Sequence, residues 1–112
     1  LETRKVKKEH RKLNIIRIGT SGALQEDLPV DSFLISRFGL GFDGLLQYYK
    51  LENTDEEKAL LKDFMKHTNW NSDLATPYFV RSSDELFNKL NRGDMNEGIT
   101  GTAAGFYGPL DI

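Results

Sequence analysis

The sequence contains no cysteine, and several other residue types that mark particular functions are scarce. Without cysteine there is no disulfide framework, no thiolate metal site and no cysteine nucleophile, and a reducing compartment suits such a chain, so we expect a cytoplasmic protein. His10 and His67 are far apart and have no carboxylate spacing typical of a metal site, so we expect two ordinary surface histidines and no metal.

Long apolar runs are also missing. No uninterrupted stretch approaches the roughly 20 residues needed to cross a bilayer, and the charged N-terminal residues do not form a secretion signal. We therefore expect no membrane partner. The 112 residues, 38% hydrophobic and 29% charged, predict one globular domain over residues 1–112, and the order of predicted elements described below makes it an α/β domain.

Charge is distributed unevenly along the chain. Residues 1–12 carry six basic and two acidic side chains, a local balance of +4, although the whole chain has a formal net charge of -2. No aromatic residue that could stack on a base interrupts this basic segment. We therefore interpret residues 1–12 as a basic connector and expect no nucleic acid polymer as a partner.

Several strands can be predicted from the chain. Residues 13–18 are apolar, rich in isoleucine and followed by a Gly-Thr-Ser-Gly loop, a pattern typical of a buried strand. Residues 30–38 predict a second strand, and three glycines within residues 39–44 indicate a bend or a close backbone approach. Residues 77–81 predict a third strand, and the small residues of 98–107 form an element that can pack flat against a neighbour or a ligand.

The sequence also predicts where two helices begin. Thr54 and Glu57 have the spacing of a capping box, which predicts a helix to about His67, and Ser82 to Glu85 repeat the signal for a shorter helix ending near Gly93. We interpret the acidic residues 55–57 as helix capping and not as a catalytic pair. Strands alternating with helices predict a layered α/β fold.

The most informative chemistry lies at the end of the first predicted strand, in the Arg-Ile-Gly-Thr-Ser-Gly stretch of residues 17–22. A guanidinium presents planar forked donors to an oxyanion, and flanking glycines let backbone N–H groups approach without a Cβ in the way. This combination predicts a phosphate or carboxylate site at Arg17. The alternative is that Arg17 pairs with a carboxylate of the chain and the glycines only form a tight turn.

This stretch, continued through Ala-Leu-Gln, resembles the phosphate loop of the nucleoside phosphorylase family. Residues 29–33 and 42–44 resemble segments that follow that loop, and residues 101–109, Gly-Thr-Ala-Ala-Gly-Phe-Tyr-Gly-Pro, resemble the base-side loop of the uridine phosphorylase branch. The likeness runs from about residue 14 to residue 109. It implies a three-layer α/β/α sandwich of the phosphorylase type, of which this chain is the central segment.

The resemblance implies an enzyme that cleaves a nucleoside, in the first place uridine, with inorganic phosphate to give the free base and ribose 1-phosphate. Arg17 and Thr20 would bind phosphate, and Ser21, Gly22 and Phe106 would contact the nucleoside; the resemblance gives no catalytic acid or base. It implies no cofactor beyond phosphate as co-substrate. It also implies a homo-oligomer, either a dimer or a hexamer.

Two departures keep other functions open. In the family a Gln and an Arg follow the base-side loop, whereas this chain has Leu110 and Asp111 there, and an apolar Leu110 cannot bind a uracil edge. Family segments that supply further phosphate donors and grip the ribose are not found in the 112 residues. The alternatives are a truncated, non-catalytic fragment of the family and a nucleosidase that uses water in place of phosphate.

Overall fold

The computed structural model describes residues 5–104 of the chain. This part contains three strands, two α-helices and a short 3-10 helix over Leu45–Tyr48. In chain order the regular elements are β1 (Leu34–Gly41), α1 (Asp55–Thr68), β2 (Tyr78–Arg81), α2 (Asp84–Leu90) and β3 (Asn96–Thr102). The fold is therefore mixed α/β, as predicted, and within residues 5–104 no helix is long and apolar enough to cross a membrane.

The strands form one sheet with β1 in the centre. β2 pairs antiparallel with Phe38–Gly41 only, whereas β3 runs parallel to β1 along its whole length. The β1–β3 register shifts between Ser36 and Phe38, and this irregularity sets Arg37 apart from the regular ladder. The first residues of β1 thus extend beyond β2, and a groove lies at this end of the sheet.

Helix α1 begins at the capping box predicted from the sequence. The Thr54 side chain accepts a hydrogen bond from the Glu57 backbone N–H at 3.2 Å, and the Glu57 carboxylate accepts one from the Thr54 N–H at 2.8 Å. The second carboxylate oxygen of Glu57 accepts from the Arg81 N–H at 2.9 Å. One buried carboxylate therefore both caps α1 and attaches the helix to β2.

The core lies between α1 and one face of the sheet. Phe38, Leu40 and Phe79 are buried there, and α1 packs against them through Leu60, Leu61 and Phe64. Trp70 stacks on Phe42 with ring centroids 5.6 Å apart, and its indole N–H donates to the Ala75 carbonyl. Trp70 therefore anchors the loop that follows α1.

The glycines of residues 39–44 provide both a close backbone approach and a bend, the two roles that the sequence indicated. The Tyr78 ring lies directly over Gly41, so that a Cβ at this position would overlap the ring atoms. The Tyr78 hydroxyl donates to Asp43, and this hydrogen bond lowers the pKa of the Asp43 carboxyl and raises the pKa of the Tyr78 phenol. Gly44 adopts a φ of 71°, which favours glycine and completes the turn.

Helix α2 is attached to the sheet through Asp84. Its carboxylate accepts from Arg37 at 2.7 Å and from Arg81 at 2.9 Å, and chiefly the hydrogen bond from Arg81 lowers the pKa of Asp84. The Arg37 guanidinium also lies 3.5 Å from the centroid of the Phe87 ring, a cation–π contact. The helix begins in the predicted stretch, but its cap is Ser83 and not Ser82, because the Ser83 side chain accepts from the Leu86 N–H; the helix ends at Leu90, slightly before Gly93.

The strand predicted over residues 13–18 is absent from the structure, and the strand predicted over residues 30–38 has different bounds. Residues 13–18 form no strand and are exposed, because no neighbouring backbone in residues 5–104 pairs with them; Ile15 is 80% exposed. The strand predicted over residues 30–38 begins only at Leu34 and continues to Gly41, since residues 29–32 form a turn in which the Ser32 N–H donates to Pro29. The third strand is confirmed as β2.

Candidate anion-binding groove

A groove of about 320 Å³ lies where β1 extends beyond β2. Its lining comes from three parts of the chain: the extended segment around Arg17, the first residues of β1, and the junction between β2 and α2. Aliphatic side chains and the Phe87 ring form most of the wall. The volume falls near the lower end of the range usual for small-ligand sites, so the groove has room for a small molecule.

Arg17 is the only cation among the described residues that line this groove. Within residues 5–104 no carboxylate lies within ion-pair distance of its guanidinium. Its Nη2 atom lies 4.0 Å from the position that a Cβ on Gly19 would occupy, so the guanidinium is folded back towards the glycine of its own motif. Arg17 therefore keeps its donors available beside a backbone that a ligand can approach closely.

Three serine hydroxyls complete the polar lining. Ser36 is hydrogen-bonded to Thr100 on β3, and Ser83 accepts from the Leu86 N–H as the cap of α2. The hydroxyl of Ser82 is buried and has no hydrogen-bond partner among the described residues. No carboxylate belongs to the described lining, so the Arg17 guanidinium is its one charged group, and this electrostatic character favours an anion.

The other predicted site residues are distributed less compactly. Thr20, Ser21 and Gly22 lie in an exposed, irregular segment directly after Arg17 and do not line the groove. Phe106 lies outside the described residues. The described part of the base-side loop, residues 101–104, begins where Thr102 pairs with Gly41 at the end of β1, whereas Arg17 lies near the start of that strand. The rest of that loop lies outside the described residues.

The other residues that could take part in binding or catalysis lie outside the groove. The acidic residues 55–57 cap α1, as interpreted from the sequence. Tyr48 and Tyr49 are 90% and 65% exposed. Both histidines are exposed, and residues 5–104 contain no group of three histidine or carboxylate side chains that could hold a metal ion.

Sequence reasoning missed Ser82 as a groove residue. The spacing of Ser82 and Glu85 predicted Ser82 as the cap of α2, whereas Ser83 has that role. The Ser82 N–H donates instead to the Arg37 carbonyl at 2.8 Å, which fixes Ser82 beside the sheet. A second serine next to a cap was the only available signal, and it does not indicate an unpaired hydroxyl.

Comparisons of the chain with protein-family models, with curated proteins and with solved structures found no match.

Proposed function

We propose that this domain belongs to a nucleoside phosphorylase of the uridine phosphorylase branch and binds inorganic phosphate at Arg17 and Thr20. The observation that carries the proposal is Arg17 itself. It begins the Arg-Ile-Gly-Thr-Ser-Gly motif, has no carboxylate partner among residues 5–104, and borders a groove whose described lining contains no acid. These features favour an anion site over the alternative of an internal ion pair.

The proposed chemistry places phosphate next to the ribose. An oxygen of the phosphate attacks C1′ as the glycosidic C–N bond breaks, and the bonding electron pair leaves with the base. The ribose develops oxocarbenium character in the transition state, which a neighbouring anion stabilises. Arg17 and Thr20 would position that anion, while Ser21 and Gly22 would lie beside ribose and base and Phe106 would pack on the base.

The proposal extends to the fold and the assembly. Helix α1 covers one face of the sheet, and the opposite face bears a hollow of about 280 Å³ bordered by Gly39, Gly41 and Val80. A further helical layer on that face would give the three-layer α/β/α sandwich of the phosphorylase type. The exposed Tyr48 and Tyr49 are available for contacts in the proposed cytoplasmic homo-oligomer, a dimer or a hexamer.

A second candidate function is phosphate binding without turnover. The separation of Arg17 from the end of β3 favours it, because Gly101 and Thr102, the first residues of the base-side loop, pair with the end of β1 that is far from Arg17. Incubation with uridine and phosphate distinguishes the two: release of uracil that requires phosphate supports the phosphorylase, and phosphate binding without release supports the second candidate. Release without phosphate would indicate a hydrolytic nucleosidase.

Replacing Arg17 with alanine is expected to weaken phosphate binding about thirtyfold. The loss of two charge-assisted hydrogen bonds from the guanidinium to an anion accounts for about 2 kcal/mol. Calorimetric titration of phosphate into the wild-type chain and the variant measures the change. Arg11→Ala, which removes an exposed arginine outside the motif, is the matched control and should bind as wild type. Equal affinity of R17A and wild type would contradict the proposal.

A further inference from the structure

The hydroxyl of Ser82 is buried, and no group in the described part of the chain forms a hydrogen bond with it. A buried hydroxyl normally has a hydrogen-bond partner, and one without a partner destabilises the folded state. Ser82 Oγ is buried and unpartnered among the described residues, and Ser82 is one of the residues that line the groove together with Arg17. A rotation of the short Ser82 side chain about χ1 would bring its hydroxyl to the groove, where a bound group would supply the missing partner.

We infer that Ser82 is a further phosphate-binding residue, which donates its hydroxyl proton to the anion held by Arg17. This inference rests on the proposed function and adds to it a residue from a distant part of the chain. The guanidinium offers two parallel donors, and a tetrahedral oxyanion bound to them still has oxygens free to accept from a third donor. Ser82 supplies that donor from the junction of β2 and α2.

The backbone holds Ser82 ready for this role. Its N–H donates to the Arg37 carbonyl at 2.8 Å, and Arg37 is in turn fixed by Asp84 and by the Phe87 ring. The Ser82 backbone therefore belongs to a rigid part of the groove wall, whereas Arg17 belongs to the exposed segment of residues 13–18. Phosphate bound by both would attach that segment to the sheet.

Ser82→Ala tests the inference in two measurements. Calorimetric titration with inorganic phosphate should show an affinity about fivefold lower than wild type, the loss expected for one hydrogen bond. Thermal unfolding without phosphate should show an unchanged or slightly higher Tm, because alanine removes a buried group that has no partner. Phosphate should raise the Tm of wild type more than that of the variant.

Ser32→Ala is the matched control, since the Ser32 hydroxyl donates to Pro29 at 2.6 Å and lies outside the groove. It should leave phosphate affinity unchanged. Wild-type affinity in S82A would overturn the inference while leaving the proposed function intact if R17A still loses binding. A lower Tm of S82A without phosphate would overturn it as well, since the hydroxyl would then have a structural partner. A wild-type chain that binds no phosphate would overturn both.

Discussion

Replacing Gly41 with alanine is expected to lower the free energy of unfolding by about 3 kcal/mol. A Cβ at this position would overlap Cζ, Cε2 and Oη of Tyr78, so either the ring or the strand must move, and overpacking of this kind costs about 1–3 kcal/mol. Movement of the ring would also break the hydrogen bond from the Tyr78 hydroxyl to Asp43. Urea unfolding of the variant, followed by circular dichroism, measures the loss.

Gly39 provides the matched control two residues earlier on β1. A Cβ built there meets no atom within 4 Å, so Gly39→Ala should change the free energy of unfolding by no more than about 0.5 kcal/mol. Removal of the ring with Tyr78→Ala should reduce the cost of Gly41→Ala in the double variant, because the two residues are in contact. Equal stability of G41A and G39A would show that the ring does not lie over Gly41.

Replacing Glu57 with alanine is expected to cost about 3 kcal/mol as well. The carboxylate accepts from the backbone N–H groups of Thr54 and Arg81, and its removal leaves two donors without a partner at the junction of α1 and β2. This loss is a large share of the total stability of a domain of this size. Chemical denaturation of the variant tests it.

Glu56→Ala is the neighbouring control. Glu56 pairs with Arg81 at the surface, where its side chain is 57% exposed, and exposed ion pairs contribute about 0–1 kcal/mol. A cost for E57A no larger than for E56A would contradict the role of Glu57 as the link between helix and sheet.

Low pH is expected to weaken the link that Glu57 forms between α1 and β2. Burial raises the pKa of the Glu57 carboxyl, but the N–H donors of Thr54 and Arg81 outweigh burial, and the pKa lies below the ordinary 4.5. Because the pKa is lowered in the folded state, the carboxylate stabilises the chain above pH 4.5, and this contribution is lost as the pH falls through the folded-state pKa. The urea midpoint of wild type should therefore fall below pH 4.5, and that of Glu57→Gln should fall less steeply. Parallel pH profiles for the two would contradict this assignment.

The helices could be predicted from the sequence because their starts depend on residues close together in the chain. Thr54 and Glu57 form a reciprocal pair within one turn, and Ser83 caps α2 in the same local way. The second partner of Glu57 could not be foreseen, since the Arg81 N–H reaches it through the packing of β2 against α1.

The strands were harder to predict, because a strand forms only where another strand pairs with it, and a single sequence does not reveal that pairing. Residues 13–18 have the composition of a buried strand, yet burial requires a neighbouring strand and a covering layer, and the described part of the chain supplies neither. In residues 39–44 the glycines indicated a close approach, but nothing in the sequence identified Tyr78 as the approaching ring. The sequence identified Arg17 and its motif as a candidate anion site, whereas it did not indicate the unpartnered hydroxyl of Ser82.

Binding of phosphate at Arg17 can be followed directly through backbone amide and arginine side-chain resonances during a titration with inorganic phosphate. We expect saturable shifts at Arg17, Gly19 and Thr20 and smaller ones at Ser82. Shifts confined to the basic residues 5–12, which would reflect unspecific attraction of an anion, or no saturable shift at Arg17, would contradict it.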